Sequence, residues 1–201
     1  MVKFLYFDLG NVLVHFTVQR MLQQMGDVAG IAPQRVSEVV FRSGLQTDFE
    51  TGRISPEQFY NHFCRETATR PDYDALQLAA SDIFELNVSM LPVLTRLAEA
   101  GWPLGILSNT CQTHWEYCLR RFAILESLFG TYALSYRIGA MKPEAAIFQA
   151  AAELAGCRPG EILYFDDLPQ HIEGANAAGF DAVQYTNASR LMTELRRRGL
   201  P

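Results

Sequence analysis

The 201 residues, 49% hydrophobic and 19% charged, suffice for a sizeable buried core and exclude a disordered chain, which needs low hydrophobicity and high net charge. A formal net charge of -5 supplies no basic footprint for a nucleic-acid partner. No stretch approaches the roughly 20 apolar residues of a membrane span, and Asp8 cuts the apolar N-terminal run too early for a signal peptide.

Lys3 to Leu9 is a compact apolar run closed by Gly10-Asn11, which predicts a strand buried on both faces, as in parallel sheets. Residues 17 to 88 then hold no convincing strand and several amphipathic segments. Among these, Ser55-Pro56-Glu57-Gln58 has the form of a helix start: Ser as N-cap, Pro at the first helical position and Gln closing a capping box. Phe59 and Phe63 follow at i and i+4 and, with Phe41, predict a core within this insert. Met90 to Ala100 puts Leu91, Leu94, Leu97 and Ala98 on one helical face, and Gly101 ends it.

The remaining chain alternates. Strands are expected over Trp102 to Leu107, Tyr132 to Tyr136, Ile162 to Phe165 and Ala182 to Tyr185; helices are expected over Pro143 to Ala155, Pro169 to Ala178 and Leu191 to Arg198. Such alternation predicts an α/β fold, a Rossmann-like parallel sheet with an inserted helical region. The four cysteines (Cys64, Cys111, Cys118, Cys157) have no metal-ligand spacing and read as reduced thiols of a cytoplasmic protein.

Ligands of open parallel sheets bind outside the carboxyl ends of the strands. Three predicted strands end in polar groups: Asp8, Ser108-Asn109 and Asp166-Asp167; Lys142-Pro143 opens the helix before the third. Carboxylates gathered in one cleft repel unless a cation lies between them. An oxygen-rich site with few protein ligands suits Mg²⁺ shared with a substrate phosphate. Lys142, Ser108 and Asn109 supply donors for anionic oxygens, and a carboxylate can act as nucleophile.

The ordered segments Phe7-Asp8-Leu9-Gly10-Asn11-Val12-Leu13, Leu107-Ser108-Asn109-Thr110, Lys142-Pro143 and Phe165-Asp166-Asp167 resemble the four motifs of the haloacid dehalogenase (HAD) superfamily of hydrolases. The helical insert resembles its C1 cap, with residues 16–88 as cap and 1–15 plus 89–201 as core. Asp-Leu-Gly-Asn-Val and the run from Ile138 to Glu144 resemble the subgroup containing α-D-glucose-1-phosphate phosphatase and the phosphatase domain of soluble epoxide hydrolase. The resemblance implies an aspartyl-phosphate on Asp8. It implies phosphoryl binding by Ser108, the Asn109 backbone and Lys142. Mg²⁺ would be held by Asp8, Asp167 and the carbonyl of Gly10, with Asp166 a ligand or an outer acceptor. The implied partner is a small phosphorylated metabolite, sugar phosphates favoured.

Two positions depart from the pattern. Phosphatases of the superfamily usually carry a second Asp, the general acid, where this chain has Gly10. His15 is the nearest substitute, a substrate with a good leaving group is a second explanation, and a slow or inactive phosphatase is a third. A 2-haloacid dehalogenase, which needs neither metal nor that acid, is the alternative activity, and a weakly catalytic phospho-ligand module is another. At the second position His171 stands where the family commonly has Asp or Asn, and is expected neutral or on the helix surface. His62 and His114 are expected in solvated and packing roles, and Arg42 to Gln46 is expected to contact substrate.

Overall fold

The computed structural model describes residues 1–201. Seven strands occur: β1 Phe4–Phe7, β2 Val14–Phe16, β3 Phe84–Leu86, β4 Leu104–Ser108, β5 Thr131–Leu134, β6 Ile162–Asp166 and β7 Asp181–Gln184. Five form a parallel sheet in the order β5-β4-β1-β6-β7. The first strand is thus central, between the strands that end at Ser108 and Asp166. The three motif strands therefore finish side by side at the point where the order reverses, the usual ligand crevice of such sheets.

The period of two along β1 builds a core on each face. Leu5 and Phe7 join a cluster with Leu94, Ile106, Trp115 and Leu195. Phe4 and Tyr6 join Leu107, Phe148, Tyr164 and Ala175 on the opposite side. The Tyr6 hydroxyl, buried there, donates to the Ala151 carbonyl at 3.0 Å, so the apolar layer holds no orphaned phenol.

The insert has a core of its own, including Met25, Val40, Phe49, Phe59, Phe63 and Leu76. Phe41 is an exception to the expected packing: it is 39% exposed and lines a cavity described below. The expected capping box is present: Gln58 N–H donates to Ser55 Oγ at 3.2 Å, and Ser55 N–H donates to Gln58 Oε1 at 2.8 Å, at the start of the helix Pro56–Thr67. Ser55→Ala is expected to lower unfolding free energy by about 1 kcal/mol in urea titrations, with no effect on turnover.

The structure adds one strand to the insert and moves two helix starts, the last helix beginning at Ala188 rather than Leu191. β3 pairs antiparallel with β2, Phe16 opposite Phe84, so a two-stranded ribbon leads into and out of the helical layer. Three residues are too few to show alternation in a sequence. Pro143 precedes its helix rather than opening it: the Lys142-Pro143 bond is cis and the helix is Ala145–Ala155, with Glu144 as N-cap. No helix is long and apolar enough to cross a membrane.

Candidate active site

Asp8 follows the last residue of β1, and its backbone N–H extends the sheet ladder to the Phe165 carbonyl at 2.8 Å. The chain then turns tightly, with Val14 N–H donating to the Leu9 carbonyl and Asn11 N–H to the Val14 carbonyl. Asn11 takes φ 55°, a conformation its short amide tolerates, and donates to Asp167 Oδ2 at 3.1 Å. The turn thus ties the first motif to the last.

Lys142 occupies the centre. Its buried ammonium lies 2.9 Å from Asp8 Oδ1 and 2.6 Å from Asp166 Oδ2, and donates to the Leu107 carbonyl at 3.1 Å and the Tyr164 hydroxyl at 2.9 Å. Burial alone would lower the lysine pKa; Asp8 and Asp166 outweigh it and raise the pKa above its ordinary value. The backbone here is fixed by Asn109, whose amide donates to the Lys142 carbonyl at 3.0 Å and accepts from its N–H at 2.8 Å. The Asn109 side chain is therefore committed to holding Lys142.

The three carboxylates differ. Burial pushes Asp8 up to about 6, with Asp166 and Asp167 acting in the same direction and Lys142 against it. Asp8 Oδ1 receives Lys142 and the Leu9 N–H at 2.7 Å, while Oδ2 has no hydrogen-bond donor within the protein. Asp166 is also buried, yet Lys142 and His171 hold its carboxyl well below the ordinary range. Its Oδ1 accepts from the Leu168 N–H at 2.9 Å and faces His171 Nδ1 at 3.0 Å; its Oδ2 takes Lys142 and the Tyr164 hydroxyl. Asp8, Asp166 and Asp167 each present an oxygen within 4.8 Å of the others. The lone pairs of Asp166 are already occupied, however, so Asp8 and Asp167 are the freer donors. The donor set is all oxygen, and three acids face one lysine, which fits a hard divalent cation such as Mg²⁺.

Two cavities meet above these groups. One, about 480 Å³, is polar and is lined by Asp8, Asn11, Lys142, Asp167 and His171. The other, about 130 Å³, lies between sheet and insert and is largely apolar, with Met21, Phe41, Ile83, Phe84, Gln46 and His114 in its wall. Gly10, Phe16, Glu50, Ser108 and Asn109 line both. A larger concavity of about 650 Å³, beside the helix Ala145–Ala155, contains none of the strand-end acids.

Every site residue expected from the sequence (Asp8, Gly10, Ser108, Asn109, Lys142, Asp166 and Asp167) lies on the polar cavity or directly behind it. The histidines divide. His171 is buried on Asp166, not on the helix surface: the helix Pro169–Ala177 starts just after β6, and while Pro169 and Gln170 stay exposed its third residue faces back to the end of that strand. His15 is exposed on β2 and lines neither cavity, so it is no substitute acid. Arg42 is exposed and lines neither cavity, whereas Gln46 lines the apolar one. Glu50, Phe16, Asn11 and Tyr164 went unread in the sequence. Tyr164 alone carried a signal, standing two residues before Asp166 on the same strand face.

A family model of haloacid dehalogenase-like hydrolases matches residues 2–179. Glyceraldehyde 3-phosphate phosphatase of Methanopyrus kandleri is 35% identical over 193 residues, covering 85% of this chain and 82% of that protein. Phosphatase MT3486 of Mycobacterium tuberculosis is 30% identical over 156 residues, 78% of this chain but only 64% of that relative's length. A HAD family enzyme from Bacteroides thetaiotaomicron, solved as a magnesium complex, superposes with a TM-score of 0.84 at 25% identity, covering 98% of both chains.

Proposed function

Because the chain belongs to the haloacid dehalogenase-like hydrolases, we propose that it is a Mg²⁺-dependent phosphatase of small phosphorylated metabolites, with phosphorylated sugars favoured. The strongest support is a single lysine buried against Asp8 and Asp166 beside a third acid, Asp167, in a cavity with Ser108. The named activities of the relatives and the magnesium in the structural neighbour agree with it.

In this reading Asp8 Oδ2 attacks phosphorus, while Lys142 and the Leu9 N–H hold Oδ1 in place. Ser108 and the Asn109 backbone bind the phosphoryl oxygens, and Lys142 meets the negative charge that grows in the transition state. Asp8, Asp167 and the Gly10 carbonyl would hold the cation, with Asp166 fixing Lys142 behind them. The bound Mg²⁺ would supply positive charge beside the transferring phosphoryl group. Water then cleaves the aspartyl-phosphate. The insert, as a cap over residues 16–88, would exclude bulk water and read the organic part of the substrate. An apolar cavity of about 130 Å³ is below the 300–1,000 Å³ usual for ligand pockets, which favours a substrate of a few carbons. Four free cysteines agree with a cytoplasmic setting.

The test is phosphate release from a panel of sugar and polyol phosphates, with Mg²⁺ and with chelator, by wild type and Asp8→Asn. Release is expected only with Mg²⁺ and only with Asp8 intact. Release that survives chelation or the substitution, or no release from any ester, would overturn the reading.

A further inference from the structure

The first motif lacks a general acid at position 10, and the structure shows what fills the space. A Cβ on Gly10 would lie 2.8 Å from Cε1 of the partly exposed Phe16, so a side chain there would have to displace the ring. A proton delivered to the leaving group would come from another direction.

The substrate's scissile oxygen joins a phosphoryl group, which needs the polar cavity, to an organic body, which fits the apolar one. That oxygen therefore belongs where the two cavities meet. Of the five residues lining both, Glu50 alone has a titratable side chain. It ends the helix Leu45–Glu50 of the insert. We propose that Glu50 is the proton donor to the leaving-group oxygen, a role that rests on the phosphatase reading above and replaces the acid missing at Gly10.

The local chain is built to hold Glu50 there. Gly52, at φ 68°, closes so tightly on the core that a Cβ would lie 2.1 Å from the Tyr136 carbonyl oxygen. Gln46, one turn earlier, donates to Glu50 Oε1 at 2.8 Å, leaving Oε2 for substrate. Burial raises the Glu50 pKa, opposed by the Gln46 hydrogen bond and by His114, which favours the protonated acid that a donor requires. His114, on the helix Gln112–Arg121 after β4, and Cys111, just before that helix, are its titratable neighbours there; Asp8, Lys142, Asp167 and His171 line the polar cavity that it shares. His114 is not the donor: it lines only the apolar cavity, and its Nε2 proton is taken by the Ala80 carbonyl at 3.1 Å, which can only accept.

The step balances. As the Asp8 oxygen–phosphorus bond forms and the ester phosphorus–oxygen bond breaks, the leaving oxygen takes the Glu50 proton and departs as an alcohol. Glu50, now a carboxylate, takes a proton from the water that attacks the aspartyl-phosphate, which restores both residues.

The experiment compares Glu50→Gln and Glu50→Ala with wild type on an alkyl phosphate and on p-nitrophenyl phosphate, whose leaving group needs no proton. Both variants are expected to lose ~10²–10⁴-fold in kcat/KM on the alkyl ester and no more than about threefold on the aryl ester. The ratio between esters is independent of the folded fraction, so partial misfolding does not imitate the result. An unchanged ratio in both variants, whether rates fall together or not at all, would overturn the proposal. A wild type that hydrolyses neither ester with Mg²⁺ would instead overturn the phosphatase reading, and this proposal with it.

Discussion

Asp8→Asn is expected to abolish turnover and, at the same time, to make the metal-free protein harder to unfold. Asp8 is buried beside Asp166 and Asp167, and its carboxyl is raised from an ordinary 3.8 to about 6. A raised folded-state value means that folding favours the neutral acid, so at neutral pH the ionised side chain opposes folding. An amide keeps the shape, can still accept from Lys142 and Leu9, and removes one of the mutually repelling charges. The expected gain is about 1–3 kcal/mol at pH 7.5, from roughly 1.4 kcal/mol per pKa unit. It should shrink as pH falls through 6, where wild-type Asp8 takes up its proton. Urea titrations in chelator at several pH values measure it. A variant less stable than wild type at pH 7.5 would show that the Lys142–Asp8 pair outweighs the crowding of the acids.

Lys142→Met should do the opposite to stability while also removing activity. Methionine keeps most of the side-chain volume but leaves two buried carboxylates without their cation, a change that typically costs about 3–5 kcal/mol. The sign with pH is fixed by Asp166. Its folded-state pKa is depressed by Lys142 and His171, so it stabilises the wild type above the ordinary carboxyl range and loses that contribution as pH falls. The deficit of the variant should therefore be largest near neutrality and narrow toward pH 4, as carboxyls freed of the lysine take up protons. Lys142, whose own pKa is raised, contributes throughout that window and is lost only in strong alkali. A deficit that stays constant from pH 7 to 4 would mean that packing, not charge, is what Lys142 supplies. Together the two substitutions separate crowding from compensation in one cluster.

Asp8, Ser108, Asp166 and Asp167 were legible because a strand buried on both faces must be apolar until it leaves the sheet. A polar residue at that boundary stands out. Lys142 was legible as a cation beside a helix start that leads into the third motif strand, and the resemblance to the motifs added its role. The capping box around Ser55 was legible because its rule is local. Glu50 was not, because nothing in Asp48-Phe49-Glu50 says which side of the helix meets the sheet; that is decided by the close approach of Gly52 to Tyr136. The surface reading of His171 failed for a related reason. Surface and interior exchange roles in a helix that begins at a strand end, and the rotation of its first turn is set by Asp166 across the loop. Phe16 reads as an unremarkable aromatic, and its effect on position 10 exists only once β2 folds back beside the first motif.

The ribbon of β2 and β3 has a consequence for how this architecture can change over time. Phe16 and Phe84 are cross-strand partners, so the polypeptide departs and returns at one spot. To the sheet, the whole helical layer is a single hairpin excursion. Lengthening, shortening or exchanging it leaves the connection geometry of the parallel strands untouched, and the entropy of closing such a loop grows only with the logarithm of its length. The sheet and its acids can thus persist while the layer above them diversifies. A proton donor carried on that layer, as Glu50 is, would be inherited with the substrate pocket rather than with the nucleophile.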